Sequence, residues 1–249
     1  MKFFNHLIVS VLWLGLTGAV WAGEVTVAVA SNFLTAAQNI ADGFEGQTGH
    51  KVRIVNGSTG TLYAQITKGA PYDVFLSADQ ERVFRLAKTD RLLDGAHKPY
   101  ALGALVLYAR STGILDADIQ TSLARADIRH FAMADPALAP YGRAAAEVLA
   151  QLDLVGVVDG KAVLGANIGQ TFGFVQTGNA QIGFVALSQA VVVDGDWLDI
   201  PASSYAPIVQ EAGLLAYADG NAAARAFYDH LSSDAAMKIL LSSGYGAPE

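Results

Sequence analysis

Cysteine is absent from this 249-residue sequence, and charged residues are scarce at 16%. The lack of cysteine excludes disulfides, thiol catalysis and any metal site that needs a thiolate. Acidic residues outnumber basic ones by 23 to 16. This balance argues against nucleic acid or an anionic membrane as a partner, because both are recognised through basic patches. Apolar residues make up 52% of the chain, so a full core can form without covalent cross-links.

The first residues have the pattern of a secretory signal peptide. Lys2 precedes an apolar run over residues 7–16, and Val20-Trp21-Ala22 supplies a cleavage site. A membrane span needs roughly 20 apolar residues, so this run is too short to be an anchor. The sequence therefore predicts a signal peptide over residues 1–22 and export of the mature protein.

Strand-like apolar runs alternate with helical patterns along the rest of the chain. These runs lie at residues 25–30, 52–55, 73–76, 130–134, 162–164 and 182–185. Each is followed by residues with a helical pattern, which predicts an α/β fold with parallel sheets. Residues 90–99 are polar and irregular, so we expect no strand there. Residues 77–80 have the spacing of a capping box that opens a helix.

Four of the strand-to-helix junctions are rich in serine, threonine, asparagine, proline or glycine. They lie at residues 31–32, 56–60, 135–142 and 167–170. Each would place hydroxyls or unpaired backbone N–H groups at a helix N-terminus, where anions bind. Ordinary N-capping explains any one of them, because the same residue types are the preferred caps. All four follow the carboxyl ends of strands, where open α/β sheets bind ligands, and this favours one shared oxyanion site.

Six segments occur in an order that is typical of one protein family. They read VAVASNF, NGSTGTLYAQI, GAPYDVFLSAD, DPALAPYG, ANIGQ and QIGFVALSQA, and they extend over essentially the whole chain after residue 22. The series resembles the periplasmic molybdate-binding proteins of ABC-type uptake systems, which belong to the two-lobed periplasmic binding proteins. The resemblance implies a periplasmic α/β protein of two lobes, each a parallel-rich sheet flanked by helices, with a ligand cleft between them.

In such a fold the chain crosses twice between the lobes. Strand-like runs flanked by irregular segments, at residues 105–107 and 214–216, mark the expected crossings. We therefore expect the first lobe to contain residues 23–107 and 210–249. The second lobe should contain residues 108–209.

In this family an oxyanion is held between the lobes by hydroxyls and main-chain N–H groups from four loops. Carried over by position, the resemblance implies that the oxyanion is bound by Ser31, Asn32, Thr59, Tyr141 and Ile168. Ser58 is an additional candidate. Some members have a tyrosine where this chain has Ala186, so a phenolic donor is missing there, and Asn32 is the candidate for the extra donor. The implied ligand is molybdate or tungstate, and the implied partner is the membrane permease of an ABC transporter. The implied state is a monomer without a cofactor or a bare metal ion.

The same residues predict a selectivity. No lysine or arginine lies within the first two junctions, so neutral dipoles would hold the dianion. Phosphate carries a proton near neutral pH and needs an acceptor. Ser31, Asn32 and Thr59 supply no carboxylate, although Asp79 and Asp135 are close enough in sequence to keep the question open. An unmatched buried donor costs about 1–3 kcal/mol, so phosphate should bind weakly. Tungstate, which is nearly the size of molybdate, should not be rejected.

Two other functions stay open from the sequence. A receptor for another tetrahedral oxyanion, such as sulfate, would need the same donors. An exported hydrolase of phosphate or sulfate esters could use the same cradle, with Asp135 and Tyr141 as the available base or nucleophile.

Overall fold

The computed structural model describes residues 22–248, so the predicted signal peptide lies outside the described residues except for Ala22. The strands of this range are β1 (Glu24–Ala30), β2 (Lys51–Gly57), β3 (Val74–Ser77), β4 (Leu92–Gly103), β5 (Leu105–Ala109), β6 (Phe131–Ala134), β7 (Ala162–Gly165), β8 (Ile182–Ala186), β9 (Asp196–Asp199) and β10 (Ile208–Leu215). The helices are α1 (Leu34–Thr48), α2 (Thr59–Thr67), α3 (Gln80–Ala87), α4 (Ile119–Ala124), α5 (Pro140–Gln151), α6 (Val155–Val158), α7 (Ile168–Gln176), α8 (Leu187–Ala190), α9 (Ala222–His230) and α10 (Asp234–Ser242). A 3-10 turn at Ser31–Phe33 joins β1 to α1. No helix in the described range combines the length and the apolar character needed to cross a bilayer.

The strands form two five-stranded sheets, with the orders β2-β1-β3-β10-β4 and β7-β6-β8-β5-β9. In the first sheet β1 is parallel to β2 and β3, whereas β10 is antiparallel to β3 and β4. In the second sheet β6 is parallel to β7 and β8, whereas β5 is antiparallel to β8 and β9. The predicted two-lobed α/β fold is confirmed. Its sheets are mixed, because β5 and β10, the strands next to the chain crossings, run against their neighbours.

The β1–α1 segment lies at the centre of the first lobe. Val27 and Ala28 belong to cores on opposite faces of β1 and both are fully buried, as expected for a strand that is covered on both sides. Helix α1 packs Ile40 and Phe44 into one of these cores. Gly49 ends α1 with φ of 75°, a left-handed conformation that glycine adopts without steric cost. This packing holds the start of α1, and with it the first predicted junction, at the carboxyl end of β1.

The strand pairing bears on where the chain crosses between the lobes. The sequence places the first crossing after residue 107, but Leu105 and Leu107 already pair with β8 in the second sheet. The return strand β10 begins at Ile208, two residues before the predicted position, and pairs with β4 in the first sheet. We therefore propose that the crossings lie at Ala104 and just before Ile208. The apolar run over residues 101–109 conceals the first crossing, because no polar side chain separates β4 from β5.

Two local expectations are wrong. Residues 92–103 form β4, the edge strand of the first sheet, where exposed polar side chains mask the strand pattern. Helix α3 begins after Asp79, and residue 77 does not cap it. The Asp79 carboxylate accepts a hydrogen bond from the Arg82 N–H at 3.1 Å, whereas the Ser77 hydroxyl donates to the Asp79 carbonyl oxygen.

Candidate functional site

A small cavity lies between the two lobes at the carboxyl ends of β1 and β2. The predicted residues Ser31, Asn32, Ser58, Thr59, Tyr141 and Ile168 all line it, together with backbone and small side chains of the adjoining segments. Its volume is about 10 Å³, taken as the space in which the centre of a water-sized sphere fits. Pockets for drug-sized organic ligands measure about 300–1,000 Å³, so this cavity suits a small inorganic ion.

Four helical segments begin at the cavity wall. The 3-10 turn that leads into α1 starts at Ser31, α2 starts at Thr59, α5 at Pro140 and α7 at Ile168. The first N–H groups of a helix have no partner within it, and the helix dipole makes this end favourable for negative charge. Proline has no N–H, so Tyr141 is the first residue of α5 that can donate one. The two lobes thus direct main-chain donors at one point.

Neighbouring donors at these helix starts are already satisfied by the protein. The Gly60 N–H donates to the Leu138 carbonyl at 2.9 Å, and the Gln170 N–H donates to the Asn167 side chain at 2.9 Å. Within the described part of the chain, the N–H groups of Thr59 and Ile168 donate to no protein acceptor. These two groups are therefore available to a ligand.

Two hydroxyls at the cavity are held by backbone donors. Ser31 Oγ accepts from the Gly169 N–H at 3.3 Å, and Thr59 Oγ1 accepts from the Ala78 N–H at 3.1 Å. Because each oxygen accepts from the backbone, its own proton stays free to be donated elsewhere. The Ser31 bond also joins the lobes, since Gly169 belongs to α7.

Ser58 has a different function from its neighbour. Its hydroxyl oxygen accepts from the Thr61 N–H at 3.1 Å, which makes Ser58 the N-cap of α2. Its hydroxyl proton is donated to Thr61 Oγ1 at 2.7 Å. Both capacities of the side chain are thus used within the helix start, so Ser58 lines the cavity as a structural cap.

The Asn32 side chain, which the sequence assigned to the ligand, makes its hydrogen bonds to other residues of the protein instead. Its Nδ2 donates to Gln210 Oε1 at 2.9 Å and to the Tyr245 hydroxyl at 3.1 Å. An amide nitrogen carries two protons, so both are used. The expectation that this side chain supplies the extra donor does not fit this geometry, and the Asn32 peptide N–H is the alternative.

Tyr141 lines the cavity near the start of α5, but its hydroxyl lies deeper in the protein. Gly103 makes room for it, since a Cβ at that position would come within 2.2 Å of the hydroxyl oxygen. Burial raises the pKa of Tyr141 well above its usual value, so the phenol stays neutral. Tyr141 therefore offers the cavity its main-chain N–H and no negative charge.

The nearest charged groups form an ionic cluster outside the cavity wall. The Arg143 guanidinium of the second lobe donates to the carboxylates of Asp79 and Glu81 in the first lobe, each at 2.8 Å. Arg82 also pairs with Asp79. The Asp135 carboxylate accepts from the Ala137 N–H at 2.9 Å. None of these five side chains is among the residues that line the cavity, so its wall is neutral.

A comparison with known protein families matches residues 25–246 to the model of the bacterial extracellular solute-binding proteins. The chain belongs to this family. Its sequence is 41% identical to the molybdate-binding protein ModA of Azotobacter vinelandii over 99% of each chain. It is 40% identical to ModA of Rhodobacter capsulatus over 94% of this chain and 92% of that protein. The resemblance that the sequence motifs indicated is thus confirmed.

The fold agrees with a solved structure of the same kind. The periplasmic molybdate-binding protein of Azotobacter vinelandii superposes with a TM-score of 0.86 at 36% identity, over 90% of this chain and all of that one. These relatives are binding proteins, and the present chain is likewise a solute-binding protein.

In this solute-binding protein the lobes touch on several sides of the cavity. The Gly60–Leu138 backbone bond, the Ser31–Gly169 bond and the Arg143 ion pairs all join the first lobe to the second. These contacts hold the two lobes together around the cavity.

Gln189 supports the fourth loop and was missed from the sequence. Its Oε1 accepts from the Ala186 N–H at 3.1 Å, and its Nε2 donates to the Ile168 carbonyl at 3.2 Å. Ala186, where some family members have a tyrosine, is fully buried and is not among the lining residues. A glutamine three residues beyond the end of a strand carries no sequence signal for this function, because its contact with Ile168 depends on the packing of α8 against α7.

Proposed function

We propose that this protein is a periplasmic receptor that captures molybdate, and also tungstate, and delivers it to the permease of an ABC transporter. The observation that carries the proposal is a small, neutral cavity between two lobes, lined by hydroxyl and N–H donors at four helix starts. The similarity to two ModA proteins at 40% identity or more supports the choice of ligand.

The donors suit a dianion in number and in kind. We propose that the Ser31 and Thr59 hydroxyls and the N–H groups of Asn32, Thr59, Tyr141 and Ile168 bind the oxygens. Hydrogen bonds to a charged group contribute about 1.5–3 kcal/mol each, and each helix N-terminus adds roughly 0.3–1 kcal/mol. Together these terms can exceed the desolvation of the anion and the ordering of the two lobes.

We expect selectivity against phosphate because no carboxylate is among the described residues that line the cavity. The carboxylates of Asp79 and Asp135, which the sequence left open as acceptors, are bonded to Arg143 and to the Ala137 N–H. The O–H group of a protonated phosphate would therefore face hydrogen-bond donors of the cavity instead of a carboxylate that could accept its proton. Its affinity should be at least ten- to hundredfold lower than that of molybdate, since an unmatched donor costs about 1–3 kcal/mol.

Calorimetric titration with molybdate, tungstate, sulfate and phosphate tests the proposal. We expect molybdate and tungstate to bind tightly, sulfate far more weakly because it is smaller, and phosphate barely. Sulfate as the tightest ligand would favour a sulfate receptor. Phosphate within tenfold of molybdate would contradict the proposed selectivity and point to an acceptor that the cavity gains in solution.

We propose that the protein has no hydrolytic activity. The Tyr141 hydroxyl, one of the two candidate groups, is buried beside Gly103 and its pKa is raised, so it is a poor nucleophile. The other, Asp135, is held by the Ala137 N–H. Incubation with a chromogenic phosphate ester and a chromogenic sulfate ester should give no turnover, and measurable turnover would favour the enzyme.

Export and oligomeric state belong to the same proposal. We propose cleavage after Ala22 and a monomeric mature protein in the periplasm. Native mass spectrometry of protein recovered from the periplasm measures both, because the mass reports the cleavage position and the number of chains. A mass that retains residues 1–22, or a dimer, would contradict the corresponding part.

A further inference from the structure

A buried polar cluster lies directly behind the cavity. We call it the hinge cluster; it contains Asn32, Tyr100, Tyr141, Gln210 and Tyr245, all at most 5% exposed. They come from the 3-10 turn, β4, α5, β10 and the segment after α10. Buried polar groups are unfavourable unless they are hydrogen-bonded, so the bonds inside this cluster restrict the orientation of each member.

Tyr245 holds Asn32 at two atoms. Its hydroxyl donates to the Asn32 carbonyl oxygen at 2.7 Å and accepts from Asn32 Nδ2 at 3.1 Å. The tyrosine ring packs edge-on against Phe33, with ring centroids 5.1 Å apart. Gly246 and Leu102 exchange two backbone hydrogen bonds, at 2.8 and 3.0 Å, which fix this segment to the end of β4. Both the main chain and the side chain of Asn32 are therefore fixed by one phenol.

Gln210 connects the same residue to the other lobe. Its Oε1 accepts from Asn32 Nδ2 and from the Tyr100 hydroxyl, each at 2.9 Å, and its Nε2 donates to the Tyr141 hydroxyl at 3.4 Å. Asn32 and Tyr141 line the cavity from opposite lobes. A third tie comes from Ser188 in α8, whose hydroxyl donates to the Asn32 carbonyl at 3.1 Å.

We propose that Tyr245 and Gln210 are positioning residues for oxyanion binding, which hold the main chain of Asn32 so that its N–H is directed at the ligand, and which link Asn32 to Tyr141 of the other lobe. This inference rests on the proposed function. Neither side chain is among the residues that line the cavity. Their effect on a ligand therefore passes through Asn32 and Tyr141.

The variant Tyr245→Phe removes the hydroxyl and keeps the ring. Tyr108→Phe is the matched control, because Tyr108 is also buried and its hydroxyl also makes two bonds, to the Asp194 carbonyl at 2.6 Å and from Gln176 Nε2 at 2.8 Å. Tyr108, Gln176 and Asp194 lie in the second lobe, and none of them lines the cavity. Loss of two bonds should lower the stability of both unliganded variants to a similar degree.

Molybdate affinity separates the two variants. We expect the Kd of Tyr245→Phe to rise about tenfold, whereas that of Tyr108→Phe stays within twofold of the wild type. Gln210→Met, which keeps the length of the side chain and removes its amide, should also raise the Kd. Equal affinity in Tyr245→Phe and the wild type, or an equal loss in Tyr108→Phe, would overturn the inference.

A spectroscopic measurement shows where in the cavity the loss of the Tyr245 hydroxyl acts. In unliganded Tyr245→Phe, the amide resonance of Asn32 should shift, while those of Thr59 and Ile168 stay at their wild-type positions. Unchanged Asn32 resonances would overturn the inference even if the Kd rises. Failure of the wild type and of Tyr108→Phe to bind molybdate would instead refute the proposed function, and the inference with it.

Discussion

Replacing Thr59 by valine should weaken anion binding, whereas replacing its neighbour Ser58 by alanine should not. Thr59 is 1% exposed, and its oxygen accepts from the Ala78 N–H, so the hydroxyl proton is free for a ligand in the cavity. Ser58 uses both its oxygen and its proton on Thr61. The two residues adjoin at the start of α2, yet only one has a donor left.

The expected magnitudes follow from these contacts. Thr59→Val removes a hydrogen bond to a charged group, worth about 1.5–3 kcal/mol, and the Kd for molybdate should rise about ten- to hundredfold. It also leaves the Ala78 N–H unpaired, which should lower the free energy of unfolding of the unliganded protein by about 1–3 kcal/mol. Ser58→Ala removes an N-cap and should lower that free energy by about 0.5–2 kcal/mol, with a Kd close to the wild type.

Calorimetry for the Kd, and urea unfolding of the unliganded protein for stability, distinguish binding from capping. Both variants should be less stable than the wild type, and only Thr59→Val should bind molybdate more weakly. The reasoning is refuted if Thr59→Val retains the wild-type Kd. It is refuted equally if Ser58→Ala loses as much affinity as Thr59→Val.

Two further predictions concern closure of the lobes. Gly60→Ala should raise the Kd for molybdate, because its Cβ would lie 2.9 Å from the Leu138 carbonyl oxygen of the other lobe. The control Gly46→Ala has open space at its Cβ and should keep the wild-type Kd. Equal affinities of the two variants in calorimetry would contradict this prediction. The hydrogen bond from Arg143 lowers the pKa of the Glu81 carboxyl. This contact between the lobes therefore favours closure above the usual glutamate pKa of about 4.3. Its contribution is lost as the pH falls through the lowered pKa. Between about pH 5 and 3, affinity should therefore fall less in Glu81→Gln than in the wild type, and parallel curves in the same buffers would contradict the coupling.

Much of the fold could be predicted because its signals are local. The buried strand β1 is an almost continuous apolar run, and the end of α1 follows from Gly49. The edge strand β4 was missed, because partial exposure removes the apolar pattern that marks a strand. The first crossing, which we propose at Ala104, lies three residues before the predicted position, since the apolar run over residues 101–109 has no polar side chain to mark it.

The candidate site shows the same division. Helix starts rich in hydroxyls and N–H groups can be recognised within a few residues, and all of the predicted residues line one cavity. Their individual functions could not be predicted. Ser58 bonds to Thr61, three residues away, whereas the oxygen of Thr59 is held by the N–H of Ala78, 19 residues away, which only the packing of β3 beside β1 brings near.

The sequence by itself determined the chemistry available to this protein: no thiols, few charges, and neutral donors where helices begin, because composition and capping preference are properties of short segments. Tertiary structure decided which donors remain free for a ligand. The Asn32 side chain is used by Gln210 and Tyr245, which lie 178 and 213 residues away along the chain. Such contacts arise from the order of strands in a sheet and from the return of the chain across the hinge, and no local pattern encodes them.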